Sequence, residues 1–140
     1  MISKLRQKGA VKGFKRTPQR LAILEYLEGN TSHPSAEAIY QAVAKKYRSM
    51  SFATVYNTLN TLVAAGALRD LTIDPDRKRY DPNTDQHHHL LCLDCRKVFD
   101  VPQQISVDVP AGITDTFTVV GNHIEFYGYC AVCGKKKRSR

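Results

Sequence analysis

Four cysteines occur in this 140-residue chain, all beyond residue 90, in two pairs of identical spacing. Cys92-Leu93-Asp94-Cys95 and Cys130-Ala131-Val132-Cys133 are Cys-x-x-Cys knuckles, each a tight turn that aims two thiolates at one ion. Two such turns complete the tetrahedral all-sulfur shell that zinc prefers at structural sites. A shell of that kind has no open position, so the expected role is structural. It would tie residues 90–95 to the C-terminal end and replace core that a segment of about 55 residues cannot build. A redox pair, two disulfides, or an iron–sulfur or rubredoxin-like iron site are the competing readings. The paired spacing favours zinc.

Directly ahead of the first knuckle stands His87-His88-His89. Alternate side chains share a face of a strand, so His87 and His89 point one way and His88 the other. Two imidazoles on one face make half of a second metal site. A hydrogen-bonded polar cluster is the ordinary alternative, and an internal position does not suit an expression tag. Further ligands must come from elsewhere. His33 in Ser32-His33-Pro34, Asp81 in the connecting segment, and Asp100 at the end of the strand after the first knuckle are the candidates. Taken singly, each reads more readily as an ordinary cap, loop or strand-end residue than as a ligand.

These groups need elements to hold them. Thr17-Pro18 is an N-cap and first helical residue, followed by Leu21, Ile23, Leu24 and Leu27 up to Gly29. A second helix is predicted from Ser35 to Tyr47, with Ala36, Ile39 and Val43 inward. A third starts at the N-cap Ser51, buries Val55, Leu59, Leu62 and Val63, and stops at Gly66. Two strands, Ala67–Ile73 and Lys78–Tyr80, then form a hairpin. A short helix over Ile2–Lys8 is a weaker prediction. Three helices and a hairpin are the order of a winged helix-turn-helix. The connecting segment lies around Asp81–Gln86, giving a domain over 1–81, a hinge over 82–86 and a second domain over 87–140. The predicted class is α+β: an N-terminal winged helix-turn-helix plus a small α/β dimerisation domain with a four-cysteine zinc site.

The third helix carries Ser51, Thr54, Tyr56, Asn57, Thr58, Asn60 and Thr61 on its outer face and no acidic residue. A solvated face ordinarily alternates Glu and Lys at salt-bridge spacing. Uncharged hydrogen-bonding side chains suit a helix in the major groove, where they reach base edges and no carboxylate meets phosphate. Lys15, Arg16, Arg20, Lys45, Lys46 and Arg48 are placed to hold the DNA backbone. The charge agrees: residues 1–50 carry ten Lys/Arg against three Asp/Glu, within a whole-chain net charge of +8. A polar helix packed on another domain is the alternative.

Composition narrows the rest. Hydrophobic content of 42% and charged content of 24% fit a globular chain. No apolar run approaches the roughly 18 residues of a membrane helix, and Met1-Ile2-Ser3-Lys4 opens no signal peptide, so a cytoplasmic protein without membrane contact is expected. A zinc hydrolase would need an open metal position and a nearby base. Only Asp81 and Asp100 offer one, both are better used as ligands, and no Gly-x-Ser-x-Gly motif occurs. An enzyme with a small-molecule substrate is therefore not expected.

With these motifs in place, the chain resembles the ferric uptake regulator (Fur) family, and within it the peroxide-sensing PerR-like branch. The resemblance runs from Arg16-Thr17-Pro18-Gln19-Arg20 through His33-Pro34, Ser51-Phe52-Ala53-Thr54-Val55-Tyr56 and His87-His88-His89-Leu90-Leu91-Cys92 to Glu125-Phe126-Tyr127-Gly128 and Cys133. It implies a homodimeric repressor on a palindromic double-stranded operator. Cys92, Cys95, Cys130 and Cys133 match the structural zinc ligands. His33, Asp81, His87, His89 and Asp100 match a regulatory site for Fe(II) or Mn(II), a shell of three nitrogens and two oxygens that both ions accept. Tyr56 matches a base-contacting residue. The implied switch is an ion that fixes the angle between domains and so the half-site spacing. Peroxide sensors of the family tend to carry Asp where iron sensors carry Glu, and here it is Asp100. Reaction with peroxide at Fe(II) would then oxidise His33 or His87 and release DNA. An iron- or zinc-uptake repressor on the same scaffold is the alternative. The sequence departs from the family at Gln86 and His88, where many iron sensors have a His and an Asp of a further site, although His123 matches a later ligand of it. It departs again at Pro102–Ile113, where Pro102, Pro110 and Gly112 shorten or remove a dimer-domain helix.

Overall fold

In a computed structural model, residues 14–138 are described, and the predicted helix over Ile2–Lys8 lies outside them. The chain forms two compact units divided after Asp85. The first opens with α1 (Pro18–Leu27), α2 (Ala36–Lys46) and α3 (Phe52–Ala64). Each begins on a hydroxyl cap: Thr17, Ser35 and Ser51 accept the backbone N–H three residues on, at 3.1–3.2 Å. Such caps satisfy N–H groups that have no partner within the helix. At the end of α3, Gly66 adopts φ +72 and lets Ala67 N–H return to the Leu62 carbonyl at 2.9 Å. Ile23, Leu24, Leu27, Ile39, Val43, Val55, Leu59 and Leu62 meet in one core, closed by Phe14, Met50, Leu68 and Tyr80.

Two residues take the side opposite to the one their spacing suggests. Leu21 is exposed, whereas Thr58 is fully buried and donates its hydroxyl to the Thr54 carbonyl at 2.7 Å. That internal bond removes the cost of placing a hydroxyl in the core. The wing is shorter than predicted. β1 (Arg69–Leu71) pairs antiparallel with β2 (Arg79–Asp81), because Ala67 and Leu68 are drawn into the core and Asp74 organises the intervening turn. Asp81, read as part of the connecting segment, is the last residue of β2 and stands opposite Arg69.

The second unit is a three-stranded sheet in the order β4 (Val98–Val101), β3 (His88–Cys92), β5 (Glu125–Gly128). β3 runs antiparallel to β4 and parallel to β5. Between β4 and β5 the only helix is a single turn, α4 (Ala111–Thr114), with no buried residue, as Pro110 and Gly112 lead one to expect. Ala131–Arg138 form α5, whose exposed last turn holds Lys135, Lys136, Lys137 and Arg138 where the helix dipole favours cations.

Candidate metal centres and nucleic-acid interface

The four cysteines converge in the second unit. The first knuckle turns at the end of β3, where Arg96 N–H returns to the Cys92 carbonyl at 3.0 Å and Arg96 takes φ +63. The second opens α5, with Gly134 N–H on the Cys130 carbonyl at 2.7 Å. The four sulfurs lie within 4.8 Å of one another, none is in a disulfide, and Cys95 Sγ sits 3.9 Å from Cys130 Sγ. Tetrahedral Zn–S bonds of about 2.3 Å separate sulfurs by about 3.8 Å, so the donors fit that ion. Burial would raise the Cys92 thiol, but backbone N–H groups of Cys130, Cys95 and Asp94 outweigh it and bring it down to about 6. These N–H groups favour the thiolate of Cys92, the form a metal ligand needs, whereas the neighbouring Cys130 sulfur and then burial push the Cys133 thiol up.

The histidine run enters at the other end of β3. His89 stands opposite Asp100 of β4, and His87, two residues earlier, reaches the same face. Both Nε2 atoms converge on one oxygen, Asp100 Oδ1, at 3.2 and 3.3 Å, and both rings are almost wholly buried. Ligands bonded to one ion at about 2.1 Å and 90–109° lie about 3.0–3.4 Å apart, so these three atoms have the spacing of a shared coordination sphere. His88 points away, accepting the Ile124 N–H on Nδ1 at 3.0 Å.

The first unit has a pair of its own. His33 Nε2 lies 3.4 Å from Asp81 Oδ2, at 1% and 2% exposure. His33 has φ +51, a left-handed conformation that costs a non-glycine residue roughly 1–2 kcal/mol. The surroundings enforce it: Tyr80 N–H donates to the Pro34 carbonyl at 2.9 Å, and Arg79 reaches the His33 carbonyl at 3.4 Å while its other nitrogen grips buried Asp74 at 3.0 Å. Sequence reading missed Arg79 and Asp74.

On α3, Ser51, Tyr56, Asn57 and Asn60 are exposed and Thr54 is partly so, its hydroxyl 2.8 Å from that of Ser51. Phe52, also exposed, stacks on Tyr56 at 6.2 Å between centroids. Lys15, Arg16 and Arg48 are exposed, and half-buried Arg20 lies over the Phe14 ring at 5.3 Å. Gln19 donates to Ser49 at 3.2 Å, joining the start of α1 to the turn before α3. Lys46 is turned instead toward Glu25, at 3.9 Å.

The family model described as the ferric uptake regulator family matches residues 11–127. A peroxide-responsive repressor PerR of Staphylococcus epidermidis is 39% identical over 123 residues, covering 86% of this chain and 82% of the relative. The peroxide operon regulator of Bacillus subtilis is 39% identical over 127 residues, covering 89% and 88%. The crystal structure of the Vibrio cholerae ferric uptake regulator superposes with a TM-score of 0.65 at 28% identity, covering 90% of this chain and 96% of that one.

Proposed function

Because the chain belongs to the ferric uptake regulator family, we propose that it is a metal-dependent, DNA-binding repressor that peroxide releases from its operator. It is a regulator and not an enzyme. The convergence of His87 and His89 on Asp100 Oδ1 carries the reading. Both S. epidermidis PerR and the B. subtilis regulator are named for peroxide, which favours that signal over metal level alone.

Cys92, Cys95, Cys130 and Cys133 hold structural zinc. His33 and Asp81 of the first unit, with His87, His89 and Asp100 of the second, serve one regulatory Fe(II) or Mn(II). Donor type and burial in each half suit such an ion, and a ligand drawn from both halves selects one arrangement of them. Fe(II) held there would supply an electron to peroxide on passing to Fe(III), which Mn(II) would not. His33 and His87 are the imidazoles on which added oxygen is expected. Loss of either donor weakens the hold on the ion and hence on DNA. Ser51, Thr54, Tyr56, Asn57 and Asn60 face the bases, and Lys15, Arg16, Arg20 and Arg48 the phosphates. The repressor acts as a homodimer on a palindromic operator, in keeping with exposed Val107, Ile113, Phe117, Val120 and Phe126 in the second unit. No described helix is long and apolar enough to cross a membrane, and a cytoplasmic site of action follows from the DNA partner.

A gel-shift and transcription assay with Fe-loaded and Mn-loaded protein tests this. Peroxide is expected to release the Fe form at doses that leave the Mn form bound, with an added oxygen on the His33 or His87 peptide by mass spectrometry. Equal resistance of both forms would remove the peroxide reading.

A further inference from the structure

His123, in the run leading into β5, belongs to neither proposed donor set, yet it makes a short contact with one. Its Nε2 lies 2.8 Å from His89 Nδ1, while His89 Nε2 faces Asp100 at 3.3 Å. On its far side, His123 Nδ1 lies 3.8 Å from Glu125 Oε1, and the Tyr127 hydroxyl donates to the other oxygen of Glu125. The register explains the line-up. His89 pairs with Asp100 on one flank and Glu125 on the other, so the three side chains stand in a row on one face of the sheet. His88 contributes from the opposite face: its Nδ1 accepts the Ile124 N–H and seats the backbone beside His123.

A neutral imidazole carries one proton, and the nitrogen that carries it cannot ligate a metal. For His89 to offer Nε2, its proton must sit on Nδ1 and find an acceptor, because the ring is fully buried. We propose that His123 is a positioning residue that accepts this proton's hydrogen bond on Nε2 and so fixes His89 in its ligating tautomer. The Glu125 carboxylate favours the proton of His123 on Nδ1, which keeps Nε2 free to accept. Tyr127 anchors Glu125. His89 thus donates to His123, the Nδ1 of His123 and the Tyr127 hydroxyl both face the Glu125 carboxylate, and the unprotonated Nε2 of His89 is left on the Asp100 side. The proposal rests on His89 being a ligand of the regulatory ion.

The test uses the full-length, zinc-replete protein. Mn(II) affinity is measured by calorimetry or electron paramagnetic resonance for wild type, His123→Phe, His123→Gln and His89→Ala. Zinc content and melting temperature report folding. Removing a partner of this kind costs about 10–100-fold in metal affinity, so His123→Phe is expected to bind Mn(II) at least about tenfold more weakly. His123→Gln, which keeps an acceptor, is expected to recover most of the loss. Long-range proton–nitrogen NMR of the wild type without Mn(II) is expected to show His89 protonated on Nδ1. A His89 proton on Nε2 overturns the proposal even where His123→Phe fails to fold, as does undiminished Mn(II) affinity in a folded His123→Phe. So does a wild type that takes up two Mn(II) per chain with one lost in His123→Phe, since His123 would then be a ligand. Unchanged affinity in His89→Ala sinks the assignment of His89 itself, a separate failure.

Discussion

Asp100 Oδ1 is shared by two buried imidazoles and is the most constrained oxygen of the second unit's half-site. Asp100 is fixed from β4 by its register with His89, so its short side chain delivers the oxygen without a flexible stem. Asp100→Glu keeps the charge and the donor type but adds a methylene, which moves the oxygen and relaxes the shell. Metal-dependent DNA binding is expected to persist, while the peroxide dose for half-release rises several-fold. A gel-shift titration of Fe-loaded protein with peroxide reads this directly, and an unchanged dose-response counts against the role given to Asp100. The neighbouring His89 shows why burial matters here. A ring with no access to water must have both nitrogens satisfied by the protein or an ion: His123 lies at hydrogen-bond distance from Nδ1, and Nε2 faces the Asp100 side, where the ion would sit.

At the level of elements, the wing and the left-handed turn at His33 are one construction. Ser35 bridges to Arg79, Tyr80 bonds back to Pro34, and the Arg79 guanidinium spans the His33 carbonyl and Asp74 in the wing turn, where Asp74 also caps the Asp76 N–H at 3.0 Å. Arg79→Ala strands the buried Asp74 carboxylate and unties the strained turn. Breaking a buried pair from one side costs about 3–5 kcal/mol; with Arg79 14% exposed, about 2–3 kcal/mol is expected. Urea unfolding monitored in the first unit measures it, and a change below about 0.5 kcal/mol, the scale of an ordinary surface substitution, would show the pair to be incidental. None of this was legible in the sequence, because ion pairs and strained turns leave no period. The helices were legible: apolar spacing and the hydroxyl caps Thr17, Ser35 and Ser51 mark them directly. Periodicity was weaker at the edges of each stripe. Thr58 sits between Val55 and Leu62 on the inner face and its hydroxyl bonds within the helix, whereas Leu21 lies just outside it. In the site, the knuckles and the His-x-His alternation could be read from spacing alone. The link from His89 to His123 crosses 34 residues and depends on a parallel pairing of β3 with β5 that no local signal encodes. The alternate placement of His123 and Glu125 just before the second knuckle was the one readable hint.

Across the whole molecule, the two units differ in what holds them. The first has its own apolar core, with Ile23, Leu27, Ile39, Val55, Leu59 and Leu62 fully buried. Among the described residues of the second, Leu91, Cys92, Val98 and Cys133 are the buried apolar ones, joined by three buried histidines, and nearly every residue from 102 to 123 is exposed. So little buried apolar surface leaves the second unit dependent on a staple, a role that zinc at the four cysteines fits. Stripping zinc is therefore expected to melt the second unit and leave the first folded. Circular dichroism should retain the helical signal of α1, α2 and α3, while amide exchange protection is lost across β3, β4 and β5. The proposed dimer, taken to form through the second unit, should dissociate at the same chelator concentration in sedimentation. Cys92→Ser should reproduce the effect without chelator. Protection across β3–β5 that survives complete removal of zinc would mean that the sheet and its partner suffice, and that the four cysteines trim a fold already stable without them.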